Sequence, residues 1–290
     1  MRRVTTIAEV RDVIEDARRG GSGIGLVPTM GFLHEGHLSL MRRAASENGF
    51  VVATIFVNPL QFGEGEDLTS YPRDPEGDAA KALSAGVSLL FSPAADEMYP
   101  TEVHTSVQVG GVSTAMEGAS RPTHFAGVAT VVAKIFSIVG KSRAYFGEKD
   151  YQQLAVIRTM VSDLSMPVEV IGCRIVREPD GLAMSSRNAY LDETQRAAAP
   201  VLRRALRAGA DEIAGGERDG DAVRDLMRAV VAGEPLAELD YVEAADPTTL
   251  SPLARVDGTS RLFGAVRIGA TRLIDNCAVF EDTERDGEAG

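Results

Sequence analysis

The chain has 290 residues, 44% of them apolar and 25% charged, with a formal net charge of −12. That length suits one large or two ordinary domains with buried cores, and no apolar run is long enough to predict a bilayer span. The acidity argues against nucleic acid or an anionic membrane as partner, and it confines any anionic small ligand to a local cluster of donors.

Residues 5–19 carry helical periodicity, with Ile7, Val10, Val13, Ile14 and Ala17 on one face, and GGSG stops the helix. The start has two arginines but no apolar stretch of a secretory signal. IGLVPT (24–29) predicts a buried strand stopped by Pro28. GHLSLMRRAASENG (36–49) predicts a helix ending at Asn48-Gly49, and FVVATIFVN (50–58) an apolar strand of the kind buried on both faces. Together they make a βαβ unit. Helices are expected at 74–86, 127–140 and 148–164, with strands at 87–93, 143–147 and 167–176.

The alternation predicts an α/β fold: a Rossmann-like, doubly wound parallel sheet over residues 1–175, with ligands at the carboxyl ends of its strands. Residues 176–282 read as a smaller α+β C-terminal domain. It has a polar opening segment, helices over 192–214 and 219–232, and strands at 239–246, 261–269 and 271–280. The acidic residues 283–290 read as a disordered tail. Two cysteines, Cys173 and Cys277, fit a reduced cytoplasmic protein better than a disulfide framework.

Residues 28–40, PTMGFLHEGHLSL, hold His34 and His37 between a strand and a helix. Three readings stay open. The pair could ligate a metal, although the zinc-protease pattern spaces its histidines by four and few third ligands are near in sequence. It could bind phosphate at a helix N-terminus. It could consist of two ordinary cap histidines. FGEKDYQQ (146–153) repeats the strand-to-helix context and offers Gly147, Lys149, Asp150, Gln152 and Gln153. GLAMSSRN (181–188) offers Ser185, Ser186 and Arg187 as a phosphate clamp. NPLQFGEGED (58–67) puts Gln61 just after the strongest strand, and RPTHFAG (121–127) adds Arg121 and His124 as pocket candidates. There is no Walker A loop, dinucleotide fingerprint, G-x-S-x-G elbow or C-x-x-C pair.

PTMGFLHEGH, IFVNPLQF, YFGEKDYQQ and GLAMSSRNAYL, in this order over roughly residues 20–280, closely resemble the pantothenate synthetase (pantoate–β-alanine ligase) family. They also resemble the wider HIGH-type nucleotidyltransferases, MSSR standing where class I aminoacyl-tRNA synthetases have KMSKS. The resemblance implies a ligase that uses ATP and Mg²⁺ to join pantoate to β-alanine through a pantoyl adenylate, releasing pyrophosphate and AMP. It also implies a cytoplasmic homodimer with a Rossmann-like domain and a C-terminal lid. By position it assigns Met30, Gly31, Phe32, Leu33, His34, Glu35, Gly36 and His37 to ATP, with His37 as proton donor. Gly147, Glu148, Lys149 and Asp150 also go to ATP, with Lys149 on phosphate and Asp150 on ribose. Val176 meets adenine through its backbone, and Met184, Ser185, Ser186 and Arg187 form a mobile phosphate loop. Gln61 and Gln153 hold pantoate, Gln61 also lying beside β-alanine. The sequence does not give the Mg²⁺ ligands, and Asp78 and Asp150 are only guesses for them. Phe32 departs from the small residue usual in the family. Rival readings are another HIGH-type nucleotidyltransferase or a catalytically inactive nucleotide sensor.

Overall fold

The computed structural model describes residues 1–280; the tail expected to be disordered, 283–290, lies outside the described residues. Strands β1 (Arg2–Val4), β2 (Ile24–Thr29), β3 (Phe50–Ile55), β4 (Leu89–Phe91), β5 (Ser142–Gly147) and β6 (Val168–Cys173) form one sheet. Its order is β1-β4-β3-β2-β5-β6, and every neighbouring pair is parallel.

Successive residues of each strand enter opposite cores, as the two-residue period requires. Leu26, Val52, Leu89, Phe91, Ala144 and Phe146 join the helices Ile7–Arg19, His124–Val139 and Tyr151–Asp163 in one core. Val27, Val51, Ala53, Leu90 and Tyr145 join the helices Glu35–Glu47 and Pro75–Ser84 in the other. With both faces covered, the strands read as apolar runs rather than as alternating ones.

Pro28 does not stop β2: it pairs in register with Thr54 on β3. The Thr29 carbonyl accepts from Phe56 N on the β3 side, so Pro28, one residue back, turns its missing N–H toward β5. Pairing with β5 ends at Leu26–Ala144, so no ladder bond is lost there. The sequence reading missed β1 and the two short helices Ala95–Met98 and Glu117–Ser120.

The described chain divides into two compact units. The first holds residues 1–176 and takes back Met184–Ser186; the second holds Arg177–Ala183 and continues from Arg187. The boundary expected at 175/176 therefore falls one residue later. The return of 184–186 has a physical cause, since Met184 N donates to Val176 O at 3.0 Å and Ser186 Oγ to Phe32 O at 3.2 Å.

In the second unit β7 (Ala237–Ala245), β8 (Arg261–Ile268) and β9 (Thr271–Ala278) pair antiparallel in sequence order. The helices Val201–Ala214 and Gly220–Ala232 share a core with them through Leu206, Ile213, Met227, Val242, Val266 and Cys277. The helix expected over 192–214 is two helices, Glu193–Ala198 and Val201–Ala214. Pro200, which lacks the N–H needed to continue the ladder, sits at the break. No helix among the described residues is long and apolar enough to cross a membrane.

One helix-to-turn contact bears directly on the carboxyl edge of the sheet. Gly127 packs so closely on the turn Pro59–Gln61 that an added Cβ would lie 2.1 Å from Leu60 O and 2.6 Å from Gln61 Cα. Both neighbours are main chain and cannot rotate away. Gly127→Ala is therefore expected to destabilise the protein by about 1–3 kcal/mol, as overpacked sites do. Thermal unfolding of wild type and variant measures this, and equal midpoints would refute the contact.

Candidate active site

The chain passes from β2 to β3 and β4 on one side of β2, then crosses to β5 and β6 on the other. The carboxyl end of the sheet between β2 and β5 is thus a topological switch point, where open α/β sheets bind ligands. The segments singled out in the sequence gather here: Met30–His37 follows β2, Asn58–Gln61 follows β3, and Gly147–Asp150 ends β5 and leads into helix Tyr151–Asp163.

His34 is the N-cap of helix Glu35–Glu47 and His37 is its third residue. Gly36 N donates to His34 Nδ1 at 3.2 Å, and His34 N donates to His37 Nδ1 at 3.4 Å. This is a reciprocal cap with imidazoles in the places more often held by Ser/Thr and Glu. It explains the spacing of three. It also fixes the tautomers: a neutral imidazole whose Nδ1 accepts must carry its proton on Nε2. The two rings lie 4.0 Å apart, centroid to centroid. Gly36 is required because an added Cβ would meet His34 Cε1 at 2.9 Å. Glu35 turns back along its own helix to Arg42, so it is not placed as a base.

Both histidines are neutral near pH 7. Burial first, and then the nearby Lys149 ammonium, lower His34 to about 4, with Asp150 opposing and Lys81 adding to the effect. His37 is pushed well below the usual range by burial, then by His34, Lys149 and Lys81. Lys149, mostly shielded, lies 3.5 Å from the half-exposed Asp150. The result is a pair of Nε2–H donors at a helix N-terminus, in a field that favours an incoming anion.

Gln61 is buried, and its amide orientation is set by its neighbours. Asn58 Nδ2 donates to Gln61 Oε1 at 3.2 Å and to Gly127 O at 3.2 Å, while Asn58 Oδ1 accepts from Tyr99 OH at 2.8 Å. Gln61 therefore presents its NH₂ end, which lies 3.2 Å from Met30 Sδ. The sequence reading quoted Asn58 without giving it a role, although a polar residue directly after an apolar strand was the available signal. Arg121 and His124 brace Gln61 from outside. Arg121 pairs with Glu66 and reaches Gln61 O at 3.3 Å, and His124 Nδ1 lies 3.0 Å from the same carbonyl.

Gln152 and Gln153 separate clearly. Gln152 is buried and clamps a turn, donating to Val112 O and Ala115 O at 2.9 and 2.8 Å and accepting from Glu117 N at 3.1 Å. Gln153 is half-buried in the first turn of its helix, and its amide has no hydrogen-bond partner among the described residues. Among the other expected residues, Leu33 sends its side chain into the core and offers only main chain. Met184 lies near Gly36, since a Cβ there would be 3.8 Å from Met184 Cβ. Met184, Ser185 and Ser186 belong to the first unit, whereas Arg187 belongs to the second.

Asp78 does not fit the part of a Mg²⁺ ligand. It is buried, and its two oxygens accept from Phe32 N at 2.8 Å and Leu33 N at 2.7 Å. Among the described residues no group of three His, Cys, Asp or Glu side chains could hold a metal. With no third such side chain beside the His pair among the described residues, the zinc-site reading of HEGH has no ligand set.

The fold and the relatives define a ligase of the α/β class. Residues 2–278 match the model of the pantoate–β-alanine ligase family, and the chain belongs to that family. A pantothenate synthetase of Roseiflexus sp. (strain RS-1) is 57% identical over 280 residues, covering 96% of this chain and 99% of its own. The crystal structure of a pantothenate synthetase from Thermus thermophilus superposes with a TM-score of 0.92 at 50% identity, over 97% of this chain and all of that one. A pantoate–β-alanine ligase from Francisella tularensis, solved with β,γ-ATP and β-alanine, has a TM-score of 0.78 at 32% identity, covering 96% and 98% of the two chains.

The depressed histidines couple stability to pH. His34 and His124, the latter lowered mainly by burial and then by Arg121, both fall from 6.5 to about 4. Between those values the unfolded chain binds protons that the folded chain refuses, so stability falls as pH drops through this window. Thermal midpoints measured across it should decline on the acid side, and His124→Asn should decline less. Parallel curves for the two proteins would contradict the burial of His124 as a neutral ring.

Proposed function

We propose that the chain condenses (R)-pantoate with β-alanine in two steps. ATP and pantoate first give an enzyme-bound pantoyl adenylate and pyrophosphate, and the amine then displaces AMP. The observation that carries this reading is the reciprocal His34–His37 cap. It supports two fixed Nε2–H donors aimed at a polyphosphate, beside Lys149.

The pantoate carboxylate is a weak nucleophile. The task is to align one of its oxygens with the α-phosphorus and to stabilise the charge that gathers as the bond to pyrophosphate breaks. His34, His37 and Lys149 are assigned that work, with His37 as the proton donor. Met30, Gly31, Phe32, Leu33, Glu35, Gly36, Gly147, Glu148 and Asp150 surround ATP in this reading. Val176 meets adenine, and Met184, Ser185, Ser186 and Arg187 meet the phosphates. The NH₂ end of Gln61 and the unpartnered amide of Gln153 suit pantoate's carboxylate and hydroxyl better than a second phosphate, and Gln61 is also assigned to β-alanine.

Mg²⁺ would be carried mainly by ATP's phosphates and water, with Asp150 the carboxylate exposed enough to touch it, and would neutralise phosphate charge. The first unit is assigned to ATP and pantoate, and the second serves as a lid that keeps water from the reactive mixed anhydride. The chain works as a cytoplasmic homodimer without a nucleic-acid partner. Two buried free cysteines support a reducing compartment, and a monomeric mass in sedimentation under assay conditions would remove the dimer.

Pyrophosphate should be released from ATP with pantoate alone, and pantothenate should form when β-alanine is added. The absence of pantoate-dependent pyrophosphate would refute the reading. In the same assay His37→Ala and Lys149→Ala should each lose at least ~10²-fold in kcat, as when a charge-stabilising donor is removed. Near-normal turnover in both would reassign their roles.

A further inference from the structure

Helix Pro75–Ser84 carries no residue assigned to substrate, yet one of its faces grips the loop that presents the two histidines. Asp78 and Lys81, three apart, share that face. Asp78 accepts from Phe32 N and Leu33 N at 2.8 and 2.7 Å, and Lys81 Nζ donates to Leu33 O at 2.8 Å. The ammonium also stands 6.0 Å from the centroid of the Phe32 ring. Leu33 immediately precedes the N-cap His34, so both its N–H and its C=O are anchored to this helix just before the cap begins. Phe32 is held in a left-handed conformation, φ +49, in the same turn.

We propose that Lys81 is a positioning residue of the ligase: it fixes the main chain that enters the histidine cap, and it adds positive potential to the polyphosphate site. The part about polyphosphate rests on the function proposed above. An alkyl side chain could have packed against the turn, and Asp78 already satisfies its N–H groups. A lysine here brings a cation into an acidic protein, directly behind the two donors. The groups that act on His34 and His37 are each other, Lys149 and Asp150 just after β5, and Lys81 from helix Pro75–Ser84; Asp78 on that helix is engaged by Phe32 N and Leu33 N, and Glu35 and Arg42 pair with each other. Burial chiefly holds the imidazoles in the neutral form, and Lys149 and then Lys81 add to it. Neutrality matters to the geometry because protonating either Nδ1 would break the cap that orients the ring.

The test uses Lys81→Met, Lys81→Gln and Lys81→Arg in the full chain. Gln keeps a donor for Leu33 O without the charge, and Arg keeps the charge. The chain has four histidines, so imidazole titration can be followed by NMR in the protein without substrates. His34 and His37 should titrate at higher pH in the Met and Gln variants and return toward wild type in Arg. Unmoved titrations in folded Gln or Met variants would overturn the proposal whether or not the chain makes pantothenate. With ATP and pantoate, kcat/KM for ATP should fall about 10- to 100-fold in Met, as for a misplaced reacting group, and its acid limb should shift toward neutral pH. A Met variant that only melts earlier, with kcat/KM and acid limb unchanged, would make Lys81 merely structural and overturn the proposal. Failure of the wild type to release pyrophosphate would refute the functional reading alone.

Discussion

Everything at the carboxyl edge depends on how one helix begins. A helix leaves its first N–H groups without intrahelical partners, and here His34 and His37 cap them with Nδ1 atoms. That single arrangement sets the spacing of three, leaves no room for a side chain at position 36 without a shift, and determines that both ring protons sit on Nε2. A Ser/Glu capping box would stabilise the helix start by a similar amount, about 1 kcal/mol. It would place a carboxylate where this chain has a neutral imidazole.

Burial of uncharged imidazoles in a chain of net charge −12 also shows where the protein keeps its positive potential. Lys149 and Lys81 act on the histidines from the turn after β5 and from helix Pro75–Ser84, and Asp150 opposes them at His34. The long-range field of the protein repels anions, so attraction has to be short-range and geometric. It comes from ammonium groups and oriented N–H donors within one switch-point crevice. Such an arrangement selects for a ligand that fits, because an anion that only drifts near the surface gains little.

Much of this was legible in the sequence. Apolar runs at 24–29, 50–55 and 142–147 became parallel strands because both of their faces are covered, and the motif segments fell at their carboxyl ends because α/β topology puts them there. Pro28 was misread because a proline is harmful in a strand only if its N–H side needs a partner, and sequence does not show that β2 and β5 have parted by then. The part played by Asp78 is not legible in sequence for a related reason. A carboxylate in a helix looks the same in sequence whether it meets a cation or two backbone N–H groups 45 and 46 residues away. Gln152 and Gln153 are adjacent and chemically identical, and only the helix phase sends one into a turn and leaves the other unpartnered. The return of Met184–Ser186 to the first unit accompanies a main-chain bond from Met184 to Val176 and a side-chain bond from Ser186 Oγ to Phe32 O, which no apolar pattern encodes.

Phe32 sharpens the same point. It departs from the small residue usual in the family, and its backbone carries the larger signal. A non-glycine residue at φ +49 costs about 1–3 kcal/mol when it is held in a sparsely populated region. That strain persists only if the surroundings determine it, and here they act on both of its peptide groups: Asp78 accepts from its N–H and Ser186 donates to its carbonyl. Hydrogen bonds to charged groups contribute about 1.5–3 kcal/mol each, so the Asp78 bond alone can offset the conformation. Glycine would adopt the turn with less strain but would leave it freer in the unfolded chain and put no ring near Lys81. The phenylalanine therefore belongs to the anchoring of the loop, and Ser186 is tied to the same strained residue that precedes the histidine cap.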